Sequence, residues 1–234
     1  MMLLTYIQQA QTRLLESVSN FYTPSGIHVY YKDELSNEEI SVERVIDKVE
    51  DALPAHLLSE VEMVIIGWFK EFEERKLNAF YKDGTLYISN IQDDENDMYD
   101  DIVHEISHSL ESALGYEIYG DQKIQTEFLQ KRKFLYDLLK GVGYNLPLKI
   151  FMNPEYDENF DMLLYQQIGY NKLAEVMKGL FITPYAATSL QEYFATGFTE
   201  FYLDPNHNFF RRVSPELYKK LLLLQDPEKL DKTA

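Results

Sequence analysis

Near residue 100 the hydrophobic period of this 234-residue chain changes and does not change back. Ahead of that point, strand-length patterns alternate with helical ones. Leu3, Leu4, Ile7, Leu14, Leu15 and Val18 recur at helical spacing and predict an amphipathic helix ending near Asn20. Residues 23–26 read as a turn, and 26–31 alternate apolar and polar side chains as a strand does. Val42, Val45, Ile46, Val49 and Leu53 form a second helical stripe stopped by Pro54, and the apolar run 63–66 suits a buried strand. Residues 79–81 and 86–88 flank Lys82-Asp83-Gly84-Thr85, whose Asp-Gly step favours a hairpin. From Asp100 onward only the helical period remains. It predicts helices over 126–140 (ended by Gly141), 159–180, 189–203 and 215–225, with Asn159 as a cap and Ser214-Pro215 as a start. Helix and strands first, helices afterwards, is an α+β order.

Composition narrows the function classes. Lys plus Arg is 22 against 39 for Asp plus Glu, a net charge of −17. A general nucleic-acid binder needs a basic face to displace counterions, and an anionic membrane repels so acidic a chain. There is no cysteine, which excludes disulfides, thiol catalysis and cysteine-ligated metals. No run approaches the ~18 apolar residues of a membrane span. The first residues lack the basic start of a secretion signal, so the expectation is a soluble, cytoplasmic protein.

The chemistry is concentrated in residues 102–111, Ile-Val-His-Glu-Ile-Ser-His-Ser-Leu-Glu. Val103, Ile106, Leu110 and Leu114 make this segment a helix, so His104 and His108 project one turn apart from one face. Two imidazoles so placed can share a metal ion, with Glu105 beside them. A chance H-E-x-x-H arises in roughly one such chain in a hundred, and this one uses two of only 5 histidines. Neutral imidazoles with a carboxylate suit Zn²⁺, and a catalytic zinc keeps three protein ligands. Residues 109–114, Ser-Leu-Glu-Ser-Ala-Leu, lack a nearby third histidine, so the ligand must come from elsewhere. Glu192, Glu200, Asp204 and His207 are the candidates that spacing leaves open. Ser189 could make Glu192 a capping glutamate, although Thr188 with Gln191 fills that role equally well.

The segment Glu192-Tyr193-Phe194-Ala195-Thr196-Gly197-Phe198 resembles the Glu-aromatic-Phe-Ala-x-small-Phe signature of gluzincin-type zinc metallopeptidases, the anthrax lethal factor and Pro-Pro endopeptidase family. The resemblance implies a zincin-like fold, Zn²⁺ as cofactor, and Glu192 as third ligand after His104 and His108. It also implies a catalytic tyrosine seven residues before that glutamate, and position 185 is Tyr, a match with about an 8% chance when 18 of 234 residues are tyrosine. Two departures stand out. Thr196 replaces a glutamate that supports a zinc histidine in lethal factor, for which Glu111 is a conceivable substitute. Glu192 follows His108 by 84 positions, longer than in lethal factor, so that one zincin-like domain over 1–234 would comprise an α/β lobe to about 115, a helical insert over 116–183 and a helical lobe from about 184.

The implied activity is that of a zinc endopeptidase. Glu105 is the expected general base and Tyr185 the expected oxyanion donor. The hairpin strand 86–89 is expected to offer an edge to an extended peptide, and the acidic balance points to basic peptide or protein substrates. The rival reading is a non-catalytic zincin-like binding or assembly module with a structural zinc and a basic partner. The acidic run 93–101 reads as a helix start, with Asp100 or Asp101 as cap, rather than as a calcium loop. His28, His56, His207 and Trp68 read as structural or exposed.

Overall fold

The computed structural model describes residues 20–75 and 77–230. The helix expected ahead of Asn20 lies outside the described residues. Asn20 itself opens a strand. The chain divides into two compact units, residues 1–109 and 110–234.

The first unit holds a mixed five-stranded sheet in the order β1-β2-β3-β5-β4. Its strands are β1 (Asn20–Tyr22), β2 (His28–Tyr31), β3 (Met63–Gly67), β4 (Ala79–Lys82) and β5 (Thr85–Ser89). β1 pairs with β2 antiparallel, β2, β3 and β5 run parallel, and β4 returns antiparallel to β5. Parallel neighbours require a crossover. Helix α1 (Val42–Ala52) supplies the first, burying Val42, Val45, Ile46 and Val49, the stripe legible in the sequence. Ser41 caps it, its hydroxyl accepting from the Arg44 amide at 3.3 Å. A short helix α2 (Lys70–Arg75), which the sequence pattern did not reveal, follows β3.

The registers Val29↔Val64↔Leu86 and Tyr31↔Ile66↔Ile88 align apolar residues across the parallel strands. Val29, Val64, Leu86, Ile66 and Ile88 are all buried. Asp83 and Gly84, with φ of 48° and 80°, form the hairpin's two-residue turn, whose positive φ at both positions matches the strand twist. Behind the hairpin, Phe80 stacks on Tyr87 at 4.5 Å and meets the edges of Phe69 and Phe72. One expectation is corrected here. β5 is bonded on both sides, so the edge at the hairpin end of the sheet belongs to β4 rather than to residues 86–89.

Helix α3 (Glu95–Tyr119) runs from the first unit into the second, with a kink at Leu114 (φ −114°, ψ 17°). Beyond it the described residues are helical: α4 (Lys123–Gly141), α5 (Leu148–Phe151), α6 (Glu158–Met162), α7 (Tyr170–Val176), α8 (Leu190–Leu203), α9 (Asn208–Val213), α10 (Pro215–Leu224) and α11 (Pro227–Leu230). The single helix expected over 159–180 is divided: wide π-type turns over Leu163–Ile168 end at Gly169, whose φ of 83° no right-handed helix accommodates. Asp157, not Asn159, caps α6, accepting from the Asn159 and Phe160 amides at 2.9 and 3.2 Å. Asn159 therefore already lies in the first turn.

α8 is buried on nearly every side, through Leu190, Tyr193, Phe194, Phe198 and Phe201 among others. A helix so apolar all round belongs inside a core. Gly197 permits this packing, because a Cβ there would lie 2.3 Å from Leu217 Cδ2 on α10 and 3.3 Å from Phe210 Cζ on α9. No helix among the described residues is long and apolar enough to cross a membrane.

Candidate metal centre

The N-terminus of α3 is built from the acidic run. Asp94 accepts from the amides of Asn96 and Asp97 at 2.7 and 3.0 Å, and Asp97 accepts in return from the Asp93 amide at 3.3 Å. The cap is therefore Asp94, six residues ahead of the expected Asp100. Acidic side chains in a first turn suit the helix dipole, and Glu95 in addition pairs with Arg44 and accepts from the Ser41 amide at 2.9 Å. Asp100 and Asp101 lie inside the helix instead. Burial pushes Asp101 up to about 6 against the hydrogen bond from Gln92 (3.0 Å), with Asp97, Asp100 and Glu105 adding to the rise. Asp100 is also raised by burial, and the neighbouring His104 opposes the rise.

Ile102, Val103 and Ile106 are buried on one side of α3. Ser107 and Ser109, also buried, satisfy their hydroxyls on the carbonyls of His104 and Ile106 at 2.6 and 2.7 Å. His104, Glu105 and His108 are half-buried, and their potential ligand atoms all lie within 4.8 Å of one another. The two imidazole rings sit 5.1 Å apart at 72°. Glu105 is tied to the sheet, because its Oε2 accepts from the backbone amide of Tyr81 at 2.8 Å. That amide lies on the open side of the edge strand β4, where the ladder leaves it no partner. Tyr81 is fixed in turn by its hydroxyl, which donates to the Glu60 carbonyl at 3.2 Å and accepts from the Gly84 amide at 3.0 Å.

Tyr185 and Glu192 belong to the second unit. Tyr185, 39% exposed, opens the one-turn 3-10 helix Tyr185–Ala187, which is closed by Thr188: its amide and hydroxyl both donate to the Tyr185 carbonyl, at 3.0 and 2.8 Å. Ser189 then caps α8 by accepting from the Glu192 amide at 3.0 Å. Ser189 and Glu192 thus hold the capping positions, while Thr188 closes the preceding turn and Gln191 donates to Glu111 at 2.9 Å. Glu192 is half-buried in the first turn of α8.

Its surroundings are acidic. Burial first, then Glu111, Glu192 and Glu155, push the Tyr119 phenol upward. Burial and the Glu192 charge likewise raise Asp161, against the hydrogen bond from Tyr156 at 3.3 Å.

Of the other residues weighed as ligands, Asp204 accepts from the Asn206 amide at 2.8 Å. His207 stacks on Phe201 at 4.5 Å and donates from Nε2 to the Phe201 carbonyl at 2.9 Å. Glu200 is half-buried on α8, and Thr196 is buried, 8% exposed. His28 stacks on Tyr22 at 4.6 Å, and His56 lies in the turn Ala55–Leu57.

No family profile, curated protein or solved structure matches the chain. The chemistry therefore rests on the residues themselves. Sequence reasoning missed the Tyr81 amide, a backbone group with no side-chain signature, and did not single out Arg132, which is 1% exposed.

Proposed function

We propose that this chain is a zinc-dependent endopeptidase. The observation that carries the reading is the convergence of His104, Glu105 and His108 on one face of a helix. Two neutral imidazoles joined by a carboxylate are a donor set suited to zinc. His104 and His108 would hold the ion. Glu192 is proposed as the third ligand on its sequence signature, and the acidic surroundings of that residue are favourable to a cation.

A zinc ion bound there supplies Lewis acidity, which lowers the pKa of water toward ~7 and polarises the scissile carbonyl. Glu105 takes a proton from the attacking water onto its carboxylate and returns it to the leaving amine nitrogen. The Tyr81 amide fixes the orientation of that carboxylate, so its proton-accepting lone pair need not reorganise during reaction. Tyr185 donates from its exposed phenol to the substrate oxygen as negative charge builds there. An extended peptide would pair along the outer edge of β4, beside the Tyr81 amide that Glu105 already occupies. With a net charge of −17, basic peptides are the favoured class.

A peptide-library digest, run with and without chelator and with Glu105→Gln as control, tests this. Cleavage that disappears in both controls is expected. A protein that binds zinc but cleaves nothing would instead be a binding or assembly module with a structural metal.

A further inference from the structure

α4 buries two adjacent cations in the second unit, and they serve different ends of the structure. Lys131 donates to Ser214 Oγ at 2.8 Å and lies one turn from Glu127, whose carboxylate accepts from Tyr193 Oη (2.7 Å) and from the Glu216 and Leu217 amides (2.9 and 3.2 Å). That set caps α10.

Arg132 instead reaches the C-terminal ends of two short helical turns, α5 at Ile150 and the 3-10 turn Tyr185–Ala187 at Thr188. Its guanidinium lies 3.9 Å over the Phe160 ring and 5.3 Å from Phe128, and it donates to carbonyls of two separate segments: Nη2 to Ile150 at 2.6 Å and Nη1 to Thr188 at 3.3 Å. Its Nε is buried without a hydrogen-bond partner. Burying a guanidinium on neutral carbonyls is costly, and burial pulls its pKa down to about 9 against the pull of Asp157. A planar fork of donors does what no shorter side chain can, fixing distant main-chain segments in one geometry.

The carbonyl of Thr188 is the informative partner. Thr188 closes the turn of Tyr185, Ser189 follows it and caps α8 through the Glu192 amide, and the Leu190 amide donates to the Pro154 carbonyl at 2.8 Å. One guanidinium thus grips the junction between Tyr185 and Glu192 from the helices of the segment 116–183. We propose that Arg132 is a positioning residue, which through the Thr188 carbonyl sets the Tyr185 phenol and the Glu192 carboxylate, so that residues 116–183 scaffold the site. The proposal rests on the peptidase reading for its catalytic consequence, but not for its structural one.

The test has two arms. In the first, Arg132→Met is combined with Tyr185→Phe in a double-mutant cycle on zinc-loaded protein. A misplaced catalytic group costs up to about 100-fold. Arg132→Met is therefore expected to lower kcat by about 10–100-fold with KM little changed, and to cost clearly less on the Tyr185→Phe background, where only the share carried through Glu192 remains. Equal losses on both backgrounds overturn the positioning of Tyr185, and an unchanged zinc affinity in Arg132→Met as well overturns that of Glu192.

The second arm needs no activity. Hydrogen exchange of the amides at 187–193 is compared between wild type and Arg132→Met, with α1 as internal reference. Exchange at least about tenfold faster there, with α1 unchanged, supports the proposal, and unchanged protection overturns it. If wild type cleaves nothing, the peptidase reading fails and this arm still decides the positioning. Should Arg132→Met not fold, Arg132→Lys keeps the charge but lacks the planar fork that binds both carbonyls, and is read by the same criteria in both arms.

Discussion

Replacing Asp101 by Asn should stabilise the protein, by an amount that depends on pH in a calculable way. A carboxyl held at about 6 instead of 3.8 keeps its proton about 150-fold more tightly than in the unfolded chain, worth about 3 kcal/mol. Because the folded value is the higher one, the stability linked to this group is present below pH ~4 and is lost as pH rises through about 6. At pH 7.5 the folded protein therefore carries the full cost of about 3 kcal/mol, and at pH 5 about half of it. Asn keeps the shape and drops the charge. It also finds a partner, because Gln92 donates to position 101 while its own Oε1 is buried without a hydrogen bond, and a side-chain amide at 101 can donate to it. Urea unfolding of metal-free protein, followed by circular dichroism, should show Asp101→Asn gaining about 3 kcal/mol at pH 7.5 and about 1.5 at pH 5. An equal effect at the two pH values, or a loss at pH 7.5, would refute the reasoning.

Gly197→Ala reverses the usual gain from removing a helical glycine: overpacking against Leu217 costs about 1–3 kcal/mol, whereas Gly115→Ala, with open space around its Cβ, should gain about 0.5–1. Thermal melts giving both variants the same sign would contradict the close approach of α8 to α10. Tyr81→Pro deletes the amide that holds Glu105 while an edge strand tolerates the ring, and should lower kcat about tenfold with zinc retained. An unchanged kcat would remove that amide from the mechanism. Tyr185→Phe should cut turnover about 100-fold, the scale of an oxyanion contact, and leave the metal content unchanged. Zinc loss in that variant would give Tyr185 a different role.

How legible each part was in the sequence follows from the kind of signal it left. Met63–Gly67 and the Asp-Gly hairpin were plain because burial and turn chemistry act on neighbouring residues. The α1 stripe was plain for the same reason. Which hairpin strand lies outermost was not legible, because strand order is a long-range property that leaves β4 and β5 locally alike. The helix expected over 159–180 failed at Gly169, where one residue's backbone overrides an apolar period that continues on both sides.

At the site, His104 and His108 could be read from spacing on a single helix. Glu192 could not be singled out without the family signature, since four residues within 192–207 offered comparable chemistry. Arg132 left only an indirect signal, since Ile124, Phe128, Leu135 and Leu139 put position 132 on the apolar face of α4 without showing what it binds. Phe128 is one turn away on the same helix, but Phe160 and Thr188 come from separate stretches of chain that no local pattern brings together.

Metal stoichiometry tests the central claim most directly. Zinc analysis of wild type, His104→Ala, His108→Ala, Glu192→Ala and Glu105→Gln should find one tightly held ion in wild type. The ion should be lost or much weakened in the first three variants and retained in Glu105→Gln, whose carboxylate serves proton transfer rather than ligation. A wild-type protein that takes up no zinc, or a Glu105→Gln protein that loses it, would contradict the account.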